Sequence, residues 1–309
     1  MFSYFMKRLG QTVIALIITT IFIFLLVRLT GDPTLTMLPM ASTEEDRVRL
    51  RAELGLDKPL SEQYWIFLKS AVRGDFGTSI SSPGRTSMNL ILSYGLNSVR
   101  LGVVAMLFAV LLGLPLGVLA AVKRGRTLDA IARMIAVLGQ SAPLFWVGLV
   151  LMYLFAIRWH VFPVVGTEGL SACVLPGVTV GWFVTGGLMR LVRSSMIETL
   201  GSDYVTFARS KGVSETVVIW KHALKNALIP VVTFSAMYFS LLVSGVVVVE
   251  VVFAWPGLGL LLYRACLGRD FPVVQLLILV LTALVIGTNL IMDIIYAYID
   301  PRIRFKKAA

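Results

Sequence analysis

The chain has 309 residues, of which 57% are hydrophobic and 15% are charged. This composition excludes an ordinary water-soluble globular protein, in which roughly a quarter of the residues are charged, and it excludes a disordered chain. The net charge of +11 would suit a nucleic-acid partner only if the basic residues formed one patch. They lie instead between apolar runs, so we expect a membrane protein without a nucleic-acid partner.

Six apolar runs are long enough to cross a lipid bilayer as helices. The first covers residues 9–27 and would be about 28 Å long, close to the roughly 30 Å of a hydrocarbon core. The other five are residues 101–122, 131–157, 172–189, 229–253 and 273–295. Gly113 and Gly117 in the second run predict a close approach to another helix, and Pro143 interrupts the third. We therefore predict an all-α membrane protein with six transmembrane helices.

The Lys and Arg residues between these runs predict the orientation. With both termini in the cytoplasm, sixteen Lys or Arg residues lie on the cytoplasmic side, against three in the two short external loops. Cytoplasmic segments are normally the basic ones, so both termini are predicted to be cytoplasmic. In this arrangement residues 31–98 are an external segment and residues 190–228 are a cytoplasmic loop.

The external segment contains two predicted helices. A capping box at Ser42 and Glu45 begins the first, and Gly55 ends it. The second is predicted over residues 61–73, and its apolar face contains Tyr64, Trp65, Phe67 and Leu68. This segment is either a helical cover for the membrane domain or a docking surface for an external partner.

The sequence has no motif of a known type of catalytic site. It lacks a phosphate-binding G-x-x-x-x-G-K-[ST] loop and a G-x-S-x-G nucleophile turn. Cys173 and Cys266 have no zinc or redox spacing, and two free thiols are favoured over a disulfide between them. We therefore expect no enzyme activity, no catalytic residue and no metal site in this chain.

Two acidic residues within the apolar runs require an explanation, because ionisable groups inside a membrane are usually functional. Glu250 and Asp293 are predicted near opposite edges of the membrane, where each could cap a helix or form a pair. A self-contained secondary carrier would be expected to bind its coupling ion near the midplane. Their positions therefore count against such a carrier.

The most informative stretch is cytoplasmic and covers residues 202–230. Ser202 is predicted to cap a helix that extends to Lys211, Gly212 to turn the chain in a left-handed conformation, and Ser214 to cap a second helix that ends at Leu228. This helix–turn–helix is either a surface on which a partner acts or a connector whose basic residues contact anionic lipid.

One face of the fifth run is polar. Helical spacing places Thr233, Met237, Ser240 and Ser244 on one stripe. The stripe either lines a transport path or packs against another helix, with the hydroxyl groups bonding to carbonyls one turn earlier.

A family resemblance becomes specific at the cytoplasmic loop. The sequence ARSKG at 208–212, followed after nine residues by HALKNALIP at 222–230, resembles the coupling loop of permease subunits of bacterial ATP-binding-cassette importers. The usual Glu-Ala-Ala is replaced by Thr206, Phe207 and Ala208, as in the branch that carries dipeptides, oligopeptides, nickel and glutathione. The order of LGLD at 54–57, GDFG at 74–77, FAWPGLG at 253–259 and RDFP at 269–272 is similar to that branch.

The resemblance implies a type I importer permease in the bacterial inner membrane. It implies three kinds of partner besides lipid: a second permease, two cytoplasmic ATPase subunits that bind ATP and Mg²⁺, and an external solute-binding protein. The residues implied to couple to the ATPases are Ala208, Arg209, Lys211, Gly212, His222, Asn226 and Pro230. Those implied in external gating or docking are Glu250, Trp255, Pro256 and Gly257. Peptide is the first substrate choice, with nickel or glutathione as alternatives and a self-contained carrier or channel as a distant one.

Overall fold

A computed structural model describes residues 2–29, 34, 38, 43–53, 55–164, 169, 171–243 and 246–299. Within these residues the regular elements are helices, apart from one antiparallel bridge between Thr78 and Thr86. The chain divides into two compact units, Asn97–Pro256 and Met1–Leu96 with Gly257–Ala309. The prediction of an all-α fold is confirmed.

We number twelve helices in the described residues. They are α1 Phe2–Leu29, α2 Glu44–Glu53, α3 Leu60–Arg73, α4 Ser87–Val122, α5 Thr127–Ser141, α6 Leu144–Leu151 continued by the π-helical Met152–Arg158, α7 Ser171–Leu200, α8 Asp203–Ser210, α9 Glu215–Val217 continued by the π-helical Val218–Ala223 and by Leu224–Val243, α10 Val247–Val252, α11 Leu258–Leu267 and α12 Phe271–Ile299.

The number of helices suited to a membrane agrees with the prediction of six spans. In the described part of the chain, five are long and apolar enough to cross a bilayer, and α5 with α6 would make a sixth. That third predicted run is not a straight helix, because α5 and α6 are bent by 103° relative to each other. The bend lies at Pro143, which lacks an amide hydrogen and favours an extended conformation at Ala142.

The predicted ends of three runs differ from the helices. Helix α4 begins at Ser87, so 14 residues that were predicted to precede the second run are helical. Helix α7 continues to Leu200, beyond the predicted end at 189. The fifth run is not one helix, because α9 ends at Val243 and α10 begins at Val247. Apolar composition identifies the part of a helix that suits the membrane, but a helix can continue into polar sequence on either side.

Helix α7 is at the centre of the unit Asn97–Pro256. Gly113 and Gly117 of α4 lie against it, as predicted, and a Cβ atom on Gly117 would be 2.8 Å from the Met189 carbonyl oxygen. Gly181 of α7 is equally restricted, because its Cβ would be 2.7 Å from the Ala105 carbonyl oxygen. The small residues therefore bring the two helix backbones close together.

The other unit contains the two helices that were predicted to be external. Helix α2 begins with a reciprocal cap one residue later than predicted, because Thr43 and Asp46 exchange backbone-to-side-chain hydrogen bonds of 3.0 and 3.3 Å. Ser42 lies outside the described residues. Thr43 directly precedes the helix, so Asp46 occupies the third helical position that the motif requires. Gly55 follows with a φ of +64°, as the predicted helix stop requires.

Helix α3 matches its prediction within one residue, but one residue was wrongly assigned to its apolar face. Tyr64 and Phe67 pack against Phe24 of α1, with ring centroids 5.4 and 5.8 Å away. Trp65 points away from this contact, and 68% of its surface is exposed. The reason is the helical period, which turns Trp65 about 100° from Tyr64.

Candidate coupling segment and transport path

The segment of residues 202–230, here called the coupling segment, is a short helix packed on the start of a long one. Val205 and Ala208 of α8 are buried against Val218 of α9. Gly212 lies between the two helices with a φ of +77°, so the predicted left-handed turn is confirmed. The second predicted helix does not end at Leu228, because α9 continues through Pro230 to Val243. The coupling segment is therefore directly continuous with a helix long enough to span the membrane.

The serine side chains do not form the predicted helix caps. Neither Ser202 nor Ser214 makes a side-chain hydrogen bond to the helix that follows it. The Ser202 hydroxyl instead donates to the Thr199 carbonyl oxygen at 2.6 Å. The Thr199 carbonyl group at the end of α7 thus has a hydrogen-bond partner. Two residues separate α7 from α8.

An ion pair closes the turn at Gly212. The Arg209 guanidinium donates to both carboxylate oxygens of Glu215, at 3.1 and 2.7 Å. This hydrogen-bonded carboxylate raises the pKa of Arg209 above its ordinary value, so the guanidinium remains charged. Both side chains are substantially exposed, which makes the pair a weak restraint on the angle between α8 and α9.

The outer surface of the coupling segment combines aromatic and basic groups. Phe207 is exposed, and the Lys211 ammonium lies 4.4 Å above the centre of its ring. Asn226 donates to the Tyr204 hydroxyl at 2.9 Å, which connects α9 to the first turn of α8. A surface of this kind is suited to protein contact, because aromatic residues dominate the energies of interfaces.

The seven predicted coupling residues therefore have different positions. Ala208 is buried between the helices and His222 is half-buried. The other five are exposed: Arg209, Lys211, Gly212, Asn226 and Pro230. Contact of these residues with an ATPase stays a prediction.

The polar stripe of α9 is divided in the structure. Thr233 and Ser240 are buried, whereas Met237 is about half exposed. The Thr233 hydroxyl donates to the Ile229 carbonyl oxygen at 3.3 Å, the bond that the packing interpretation expects. Ser244 lies outside the described residues. A role for this stripe in a transport path stays a prediction.

The predicted external gate residues are more buried than a docking surface would require. Glu250 is fully buried and accepts a hydrogen bond from the Ser98 hydroxyl at 3.0 Å. Its predicted position near the external edge of the membrane stays a prediction. The Trp255 indole is also buried and donates to the Asn97 carbonyl oxygen at 3.1 Å. Pro256 is half-buried and Gly257 is buried. A role in gating or docking stays a prediction for all four.

One buried charge cluster was missed by the sequence analysis. Asp129, at the start of α5, is 1% exposed and accepts two hydrogen bonds from Arg193 of α7, at 2.7 and 3.0 Å. The Gly125 amide donates a third at 3.0 Å, and Arg133 lies 3.5 Å away. Asp129 and Arg193 are 64 positions apart, so no local pattern could have connected them. The only signal was an acidic residue next to an apolar run.

The two cysteines are not paired with each other. Cys173 is buried, Cys266 is exposed, and both are free. Among the described residues no group of three or more His, Cys, Asp or Glu side chains is arranged to hold a metal ion. The Asp293 side chain lies outside the description. The positions of both acids along the membrane, and the argument that they provide against a self-contained carrier, stay predictions.

Two family models match the chain and define its class. The family of the binding-protein-dependent transport system inner membrane component matches residues 113–305, and the N-terminal region of such membrane components matches residues 1–92. The chain therefore belongs to the permeases of binding-protein-dependent ABC importers, and it is a multi-pass inner membrane protein.

Individual relatives confirm this assignment and its branch. The chain is 40% identical over 307 residues to the glutathione transport system permease protein GsiC of Escherichia coli strain K12, with 99% of this chain and 100% of that protein covered. GsiC of Salmonella typhimurium is equally similar. The fold is also similar to the inward-facing MetNI methionine ABC transporter, with a TM-score of 0.59 and 20% identity over 69% of this chain and 97% of that one. The type I permease fold is thus confirmed.

Proposed function

We propose that this chain is one permease subunit of an ATP-driven importer for glutathione and other short peptides. The full-length identity of 40% to a glutathione permease is the observation that supports this cargo. Glutathione is itself a tripeptide, so the proposal includes the peptide cargo expected from the sequence and narrows it. Nickel is the alternative cargo, and no observation on this chain favours it.

The proposed assembly contains a second permease, two ATPase subunits in the cytoplasm and a solute-binding protein outside. ATP and Mg²⁺ would bind to the ATPase subunits, and both termini of this chain would be cytoplasmic. The coupling segment supports this division of work, because a folded α8 with an exposed Phe207 is suited to fit a groove on a partner. Because α9 continues from this segment, a displacement of α8 would be transmitted into the membrane-spanning helices.

The cargo is tested most sharply with the solute-binding protein encoded beside this chain. We would titrate it calorimetrically with glutathione, with the α-linked tripeptide of the same three amino acids, with a dipeptide and with Ni²⁺. The two tripeptides have equal composition and differ only in the linkage of the first residue. We expect tight binding of glutathione and at least about tenfold weaker binding of its isomer, a difference of about 1.4 kcal/mol. Equal binding would indicate a general peptide importer, and binding of Ni²⁺ alone would contradict the proposal.

A further inference from the structure

Helix α3 has one face packed on α1 and another that is largely exposed. The packed face is held by the Tyr64 hydroxyl, which lies 2.9 Å from the Thr20 hydroxyl, and by the contacts of Tyr64 and Phe67 with Phe24. Ile23, Phe24 and Phe67 form a buried apolar cluster there. These contacts fix the height of α3 along α1.

The α1 residues that contact α3 lie inside the apolar part of α1. The stretch of α1 suited to the membrane is Gly10–Val27. Phe24 is three residues before its end, or about 5 Å along the axis, and Thr20 is about 10 Å before it. Amphipathic helices that lie in a membrane interface are buried about 5–10 Å into the boundary between head groups and acyl chains. The contacts with α1 therefore place α3 at this depth and not in bulk water.

The outward face of α3 has the composition of an interfacial helix. Trp65 and Val72 are 68% and 84% exposed, and Ile66 beside them is also exposed. On the helical wheel Lys69 lies about 40° from Trp65, on the side away from Val72, and Arg73 lies about 40° further round. Trp concentrates at the head-group level of membranes, and long basic side chains extend from there to the phosphates.

The charges on this face favour anionic lipid. Glu62 is paired with Lys58 at 2.7 Å, so its charge is compensated locally. Within the described part of the chain neither Lys69 nor Arg73 has an ion-pair partner. Two basic groups beside an apolar surface are each attracted by about 1 kcal/mol to a negatively charged membrane surface.

We propose that α3 is a membrane-surface helix, with Trp65, Ile66 and Val72 in the acyl boundary and Lys69 and Arg73 at the phosphates of anionic phospholipids. The external segment is then partly a membrane anchor. On the side of α1 opposite α3, Ile18 and Phe22 are also largely exposed, as expected for a helix in contact with lipid.

Cysteine labelling with a matched pair of valines tests this. Val72→Cys on α3 and Val48→Cys on α2 replace the same residue type, and both valines are mostly exposed, at 84% and 61%. Helix α2 is strongly charged, and none of its described residues is buried. Each variant, in the full chain lacking Cys173 and Cys266, would carry a fluorophore and be placed in nanodiscs of phosphatidylethanolamine and phosphatidylglycerol.

The readout is quenching by lipids brominated near the carboxyl end or near the methyl end of the acyl chain, and by iodide in water. We expect the label at position 72 to lose at least about half its emission to the carboxyl-end bromines and less to the methyl-end bromines, with iodide quenching only position 48. Equal iodide quenching at both positions would overturn the proposal. Shielding from iodide without lipid quenching would show a protein partner on this face, and stronger quenching by the methyl-end bromines would place the face deep in the bilayer; either result also overturns it.

Discussion

Two arginine–carboxylate pairs in the unit Asn97–Pro256 have the same geometry in opposite surroundings. Arg193 and Arg209 each donate two hydrogen bonds to one carboxylate, with shortest distances of 2.7 Å. Asp129 is 1% exposed, whereas the side chain of Glu215 is 58% exposed. Loss of the first pair is expected to cost more, because the Asp129 carboxylate is shielded from water and the Arg193 side chain is only 23% exposed. The exposed pair can break at little cost, which suits a segment proposed to move with a partner.

The largest expected effect is on the buried pair. Asp129→Asn preserves the shape of the side chain but leaves the Arg193 charge without its counter-ion. We expect the free energy of unfolding to fall by more than in any of the variants below, because Asp129 loses a charge-assisted, two-bond contact. Apparent melting temperatures of the purified complex, measured at one scan rate for wild type and variant, would show it.

A double variant sharpens this prediction. Asp129→Asn combined with Arg193→Met removes both charges and replaces the guanidinium by an apolar group. We expect this variant to be more stable than Asp129→Asn alone. If the double variant loses as much unfolding free energy as Asp129→Asn and Arg193→Met lose together, the two residues act independently, contrary to the structure.

The next effect concerns the close contact of α4 with α7. Gly117→Val places its Cβ 2.8 Å from the Met189 carbonyl oxygen, so the helices must separate. We expect a loss of about 1–3 kcal/mol in unfolding free energy. Gly10→Val is the control, because Gly10 is also helical but no atom lies within 4 Å of its Cβ position. Equal melting temperatures for the two variants would contradict the close packing.

A substitution of Gly212 tests the coupling segment through the backbone conformation of the turn and not through steric contact. No atom lies within 4 Å of its Cβ position, but its φ of +77° costs a β-branched residue about 1–2 kcal/mol. In Gly212→Val we expect the ATPase subunits to detach or to hydrolyse ATP without uptake of cargo. Gly212→Asn tolerates the left-handed conformation and should retain uptake.

The assay for Gly212 uses reconstituted complex at matched permease levels, with ATPase recovery, ATP hydrolysis and uptake measured together. Normal uptake by Gly212→Val would argue against coupling through this segment. An equal loss in both variants would show that the position tolerates no side chain, so that the left-handed turn is not the cause.

The smallest effect is expected at the exposed pair. Glu215→Gln removes the carboxylate charge that binds Arg209, and the unfolding free energy should fall by about 0–1 kcal/mol, less at high salt. The melting temperature of this variant is measured in the same way as that of Asp129→Asn. A loss as large as that of Asp129→Asn would erase the difference between the two pairs.

The local features of the fold could be predicted from the sequence. The apolar runs located the membrane helices, and Gly55 and Gly212 located two turns because only a residue without a Cβ atom adopts a positive φ freely. The ends of α4 and α7 could not be predicted, since each helix continues from apolar into polar sequence. The end of α9 could not be predicted either, because it lies inside an apolar run. The 103° bend at Pro143 was also missed, because a proline in an apolar run is compatible with either a kinked span or a broken one.

The long-range features of the site could not be predicted. The contact of Asp129 with Arg193 and that of Glu250 with Ser98 join residues 64 and 152 positions apart. Burial of such groups depends on which helices pack together, and periodicity within one helix does not contain this information. The exposure of Trp65 also depends on tertiary packing, because α1 covers only one side of α3.

The central claim is that this chain transports its cargo only as part of an ATP-driven importer. The most direct test is uptake of radiolabelled glutathione into proteoliposomes, with the permease alone or with its second permease, ATPase subunits and binding protein. We predict uptake only by the complete assembly with ATP, and none when a non-hydrolysable ATP analogue replaces ATP. Accumulation of glutathione by this chain alone, driven by a proton or sodium gradient, would contradict the account.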